Sequence, residues 1–83
     1  MLNIKILGSG CPNCKKLEAL THQAVEQLAL EAEITKVTDY PAILAYKVMA
    51  TPGLVINEKV VSSGRIPSTA EITTFLSNAM MEA

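Results

Sequence analysis

An apolar run from Leu2 to Leu7, a break at Gly8, Ser9 and Gly10, a long stretch of helical periodicity and then a β-branched run constrain this 83-residue chain most. Two successive strands joined by a helix pair in parallel through a right-handed crossover. That places the turn around residue 11 at the carboxyl end of the first strand, where open α/β sheets carry their sites. In the strand, Ile4 and Ile6 share a face, and Leu2, Lys5 and Leu7 complete a mostly buried run. From Pro12 to about Leu30, Leu17, Leu20, Ala24 and Leu28 recur at helical spacing, with Glu18, His22 and Glu26 expected on the opposite side. Pro12 suits a first helical turn, where a missing N–H costs nothing.

Further along, Glu33 to Thr38 carries Ile34, Thr35 and Val37 and predicts a second strand. Asp39 and Pro41 mark a helix start, with a short helix over Ala42 to Lys47 ending before Thr51, Pro52 and Gly53. Leu54 to Ile56 and Lys59 to Ser62 form an expected antiparallel hairpin around Asn57 and Glu58. Ser68 and Glu71 have capping-box spacing, and Ile72, Phe75, Leu76 and Ala79 supply the buried face of a last helix. The expectation is one α/β domain over residues 1–83 in the order β-α-β-α-β-β-α, without repeats or a linker.

Composition narrows the function. With 49% hydrophobic and 18% charged residues the chain is too apolar to be disordered. Its 7 basic and 8 acidic side chains give a net charge of −1, so no footprint for nucleic acid or an anionic membrane is expected. No apolar run approaches a bilayer span and the first residues lack a signal peptide's apolar region, so a cytoplasmic location is expected; a monomer is also expected. The two cysteines close too small a loop to stabilise the fold by chain entropy, so their spacing asks for a chemical reason.

Cys11-Pro12-Asn13-Cys14 straddles the strand end and the helix start. There, unpaired N–H groups and the positive end of the helix dipole favour a thiolate at Cys11, the expected nucleophile. Cys14, one turn deeper, is placed to attack a mixed disulfide formed at Cys11 and so to act as the resolving thiol. Pro12 and Asn13 put no carboxylate between them, and Lys15 and Lys16 add cations that favour the thiolate. Three other readings stay open: two ordinary buried cysteines, a copper or zinc carrier built on the same CxxC spacing, and a redox-silent interaction module. Copper-carrier domains run β-α-β-β-α-β and end on a strand, whereas here a capped helix is last. His22 reads as a surface residue, Met49 as core, and Met80 and Met81 as a fraying end; no metal set is expected. Tyr40 and Tyr46 are expected to be buried beneath the short helix. Arg65 reads equally as a ligand for a substrate carboxylate or as an exposed loop residue.

Cys11-Pro12-Asn13-Cys14 after a first strand, with Thr51-Pro52 just before another, resembles the thioredoxin and glutaredoxin superfamily. The segments Val48 to Ile56 and Lys59 to Ser68 are similar to its small glutaredoxin-like thioredoxins nearly throughout. The resemblance implies a thioredoxin-like fold, a four-stranded mixed sheet flanked by three helices, with Pro52 cis and facing the cysteines. It implies Thr51 as a substrate-backbone contact and Gly64 near the same surface. It also implies an oxidoreductase in electron transport, with no cofactor beyond a redox-active Cys11–Cys14 disulfide, whose partners are protein disulfides and an unidentified reductase. Departures are visible. Gly10 stands where thioredoxins proper have tryptophan, and Leu2 to Leu7 holds no acid that would take the resolving cysteine's proton. Gly53 replaces an alanine-like residue, Glu58 replaces a turn glycine, and the lysine and glycine-aspartate pair of glutathione-binding glutaredoxins are not reproduced.

Overall fold

Leu2–Leu7 forms the first strand, β1, with Leu2, Ile4 and Ile6 buried on one face and Leu7 on the other. The computed structural model describes residues 2–8, 12–48 and 50–81. After β1 come α1 (Pro12–Gln27), β2 (Ala32–Val37), α2 (Tyr40–Ala45), β3 (Gly53–Ile56), β4 (Lys59–Ser63) and α3 (Thr69–Met81), the expected order. The sheet order is β2-β1-β3-β4. β1 pairs in parallel with β2, as the crossover requires, while β1–β3 and β3–β4 are antiparallel. This order of elements differs from the β-α-β-β-α-β of metal carriers.

Strand alternation sorts the core into two layers. Leu2, Ile4 and Ile6 of β1, with Leu54 and Ile56 of β3, pack with Leu17 and Ala24 of α1 and Ile72, Leu76 and Ala79 of α3. On the other face Leu7 and Val55 meet Ile43 of α2 and Val48.

Several boundaries differ from the sequence reading. The first helix stops at Gln27 rather than near Leu30, because Ala29 turns left-handed at φ 52°. The N–H of Ala29 then donates to the Glu26 carbonyl (3.1 Å) and that of Leu30 to Val25 (3.1 Å), a Schellman closure. Leu28 is thereby left exposed instead of in the core. The buried stripe of α1 is Cys14, Leu17, Thr21 and Ala24; the Thr21 hydroxyl donates back to the Leu17 carbonyl at 2.8 Å, which lets the side chain be buried. β2 begins one residue earlier than expected, and α2 covers Tyr40–Ala45 rather than Ala42 to Lys47, since Pro41 lies in its first turn and Lys47 (φ 61°) is left-handed beyond its end. Tyr40, expected to be buried, is 66% exposed.

The hairpin turn departs from its glycine-bearing form through a polar clamp. Asn57 (φ 51°) and Glu58 (φ 69°) are both left-handed, the pattern of a type I′ turn. The Asn57 side-chain carbonyl accepts from the Asn3 N–H at 3.0 Å. Lys5 Nζ donates to Glu58 (2.6 Å) and to the Tyr46 hydroxyl (2.7 Å), which itself donates to Glu58 at 2.9 Å. At α3 the expected capping box forms: the Glu71 N–H donates to Ser68 Oγ (3.2 Å) and the Ser68 N–H to Glu71 Oε1 (3.3 Å). Arg65 grips the same Glu71 with both guanidinium nitrogens, at 3.2 and 2.8 Å.

These partners set a pH dependence. The hydrogen bond from Lys5, then that from Tyr46, holds the Glu58 carboxyl below its ordinary value of 4.5. Arg65, then Ser68, does the same for Glu71. A carboxylate depressed by folding contributes stability above its unfolded value, and that contribution is lost as pH falls through the folded value. Lys5, raised from 10.5 first by its hydrogen bond to Glu58, contributes below that value and stops contributing in strong base. Thermal unfolding midpoints are therefore expected to fall on acidification below the carboxylate range. An E58Q/E71Q double variant should melt lower at neutral pH yet lose less on acidification, and parallel pH curves for the two proteins would contradict this.

Candidate active site

The site is built where β1, α1 and the segment before β3 converge. Cys14, in the first turn of α1, is only 5% exposed and is disulfide-bonded. Cys11, the chain's other cysteine, lies outside the described residues, as do Gly10 and Met49. Pro12, Asn13 and Lys15 are exposed on the first turn of α1, and His22 is exposed further along it. Only Lys15 of the three first-turn residues lines the cavity beside Cys14.

The peptide bond Thr51–Pro52 is cis, with Thr51 exposed and Pro52 buried. Gly64 joins this segment through its N–H, which donates to the Pro52 carbonyl at 2.9 Å. Its φ of 74° suits glycine, and a Cβ there would come within 3.0 Å of the Ala50 side chain. Pro52 and Gly64, both singled out in the sequence, are thus joined directly, with Thr51 next to them in the chain.

The link between the cysteine helix and the cis-proline segment is Gly8, which the sequence reading treated only as a strand end. Its N–H continues the β1–β2 ladder by donating to the Val37 carbonyl at 2.9 Å. A Cβ on Gly8 would overlap Cys14 Sγ, and would lie 3.2 Å from Cys14 Cβ and 3.8 Å from Thr51 Cβ. Only a residue without a side chain lets the sulfur pack on the strand end while Thr51 closes from the other side.

Beside Cys14 lies a cavity of about 100 Å³ lined by Ile6, Gly8, Cys14, Lys15, Glu18, Lys36 and Thr38. Glu18 was expected on the solvent side of α1. It is instead half-buried, because position i+4 is rotated only about 40° from Cys14 around the helix. Lys36 of β2 reaches it at 3.6 Å. Ile6 and Lys36 are register partners in neighbouring strands, so their side chains leave the sheet on the same face.

Sequence comparison agrees with this architecture. The thioredoxin domain family matches residues 2–77. The chain belongs to the thioredoxin family. A thioredoxin of Methanocaldococcus jannaschii is 43% identical over 72 residues, 87% of this chain and 83% of that protein. A thioredoxin of Methanothermobacter thermautotrophicus is 38% identical over 77 residues, covering 93% of this chain and all of the relative. Among solved structures, one described as a malarial protein superposes with a TM-score of 0.73 at 9% identity, covering 96% of this chain and 98% of that one. The germline-specific thioredoxin Deadhead of Drosophila melanogaster gives a TM-score of 0.64 at 18% identity, covering 93% and 79% respectively. At these identities the two structures attest the thioredoxin fold alone. Arg65, weighed as a substrate ligand, is engaged with Glu71 at the cap of α3, and Tyr46 serves the hairpin clamp. No helix among the described residues is long and apolar enough to cross a membrane.

Proposed function

We propose that this thioredoxin-family chain is a thiol-disulfide oxidoreductase that exchanges electrons with protein disulfides through Cys11 and Cys14, as a cytoplasmic monomer served by a separate reductase. The carrying observation is the setting of Cys14: a disulfide-bonded sulfur, 5% exposed, packed on Gly8 beside the cis Thr51–Pro52 segment. A sulfur so enclosed is poorly reached by a macromolecular disulfide, which suits a resolving thiol that attacks from within. Cys11 is then the thiol that meets the substrate. The relatives named thioredoxin support the same kind of activity.

In the proposed cycle the Cys11 thiolate attacks one sulfur of a substrate disulfide, and the other substrate sulfur leaves with the electron pair and takes a proton. Cys14 then attacks Cys11, forming the intramolecular disulfide and releasing the second substrate thiol. Exposed Thr51 offers backbone groups to an extended polypeptide, with Gly64 beside it presenting no side chain. Pro12 and Asn13 leave the approach uncharged, and Lys15 adds a cation.

Titration against dithiothreitol or glutathione buffers, with free thiols counted by mass after alkylation, tests this reading. A reversible two-electron transition between about −300 and −120 mV is expected for such a pair. Thiols that fail to interconvert with a disulfide would overturn it.

A further inference from the structure

We infer that Glu18 is the group that takes the proton from Cys14 when Cys14 attacks, and that Lys36 positions this carboxylate. The inference rests on the proposed dithiol chemistry and assigns the acid–base partner that chemistry requires. Cys14 must ionise to act, since the thiolate is the nucleophile. At 5% exposure it has little direct access to bulk solvent. The cavity at its side holds one carboxylate among the described residues, Glu18. Side chains at i and i+4 on a helix are neighbours, with Cβ atoms about 5–6 Å apart, so one water can span from thiol to carboxylate. A cavity of about 100 Å³ has room for that water.

The other charged groups facing the cavity are Lys15 of α1 and Lys36 of β2, while β1 and the residue after it contribute Ile6 and Gly8. Lys36, 3.6 Å from Glu18, pairs with the carboxylate and holds it over the cavity. In the resolving step the Cys14 S–H proton passes to Glu18, and the new thiolate attacks Cys11. The Cys11–Cys14 bond forms as the bond from Cys11 to the substrate sulfur breaks. That sulfur leaves as a thiolate and is protonated by Glu18 or by solvent, which restores the carboxylate. When an external dithiol reduces the protein, the proton returns to Cys14 by the same route.

Dithiobis(nitrobenzoate) separates the two steps, because attack by Cys11 releases one coloured thiolate and resolution by Cys14 releases a second. In E18Q the second release is expected to slow on the order of a hundredfold near neutral pH, within the range of general base effects. Its acid limb should disappear, while the first release keeps its rate. E18D should restore the acid limb, and K36Q, which removes the group that holds Glu18 over the cavity, should slow the second release but not the first. A second release in E18Q with unchanged rate and pH profile would overturn the assignment, as would equal slowing of both releases, the mark of a purely structural role. A wild-type protein that gives no second release at all would instead overturn the dithiol reading, and this inference with it.

Discussion

Cys14→Ser is expected to convert the protein from a catalyst into a trap. Serine is nearly isosteric, so the buried position beside Gly8 should accept it and the fold should survive. The variant retains Cys11, so mixed disulfides with target proteins should still form. The hydroxyl is not appreciably ionised near neutral pH and cannot displace the substrate sulfur, so turnover should fall to background. Covalent complexes should then persist on non-reducing gels and dissolve on adding dithiothreitol. A variant that retains no target, beside a wild type that reduces protein disulfides, would contradict the assignment of Cys11 to attack and Cys14 to resolution.

Gly8→Ala should be the most damaging glycine-to-alanine change among the described residues. The added Cβ would overlap the Cys14 sulfur, and it would do so on a backbone with φ 155°, a conformation that residues bearing a Cβ rarely adopt. Overpacking of this kind costs about 1–3 kcal/mol, and a sparsely populated backbone conformation costs about as much again. A combined loss of about 3 kcal/mol corresponds, in a domain of this size, to a fall in Tm on the order of 15 °C. Differential scanning calorimetry of the oxidised proteins checks this. A midpoint equal to that of the wild type would mean that the sulfur moves aside freely and that the close packing of Cys14 on the strand end carries little energy.

Local patterns in the sequence determined the elements and most of the topology. Apolar and β-branched runs placed the strands, the Ser68–Glu71 spacing placed the start of α3, and a strand-helix-strand succession fixed the parallel β1–β2 pair, because only a crossover can join parallel neighbours. The cysteine spacing, and Thr51-Pro52 through the family resemblance, marked the candidate site at the level of sequence. Element ends were less legible. α1 closes where Ala29 turns left-handed without the glycine that usually signals such a stop, and Tyr40 lies exposed although its ring is one a core would accept.

What only the tertiary structure decided is the company each residue keeps across elements. Gly8 reads as a strand end until Cys14 and Thr51 close on it from α1 and from the segment before β3. Glu18 reads as a solvent-facing acid until β2 brings Lys36 against it over the cavity beside Cys14. Arg65 and Tyr46 read as loose surface or core groups until Glu71 and Glu58 claim them. The physical reason is common to all of these. Periodicity and capping are short-range properties written into neighbouring residues, whereas close approach, burial and charge pairing depend on strand register and helix placement, which bring together side chains far apart in the chain.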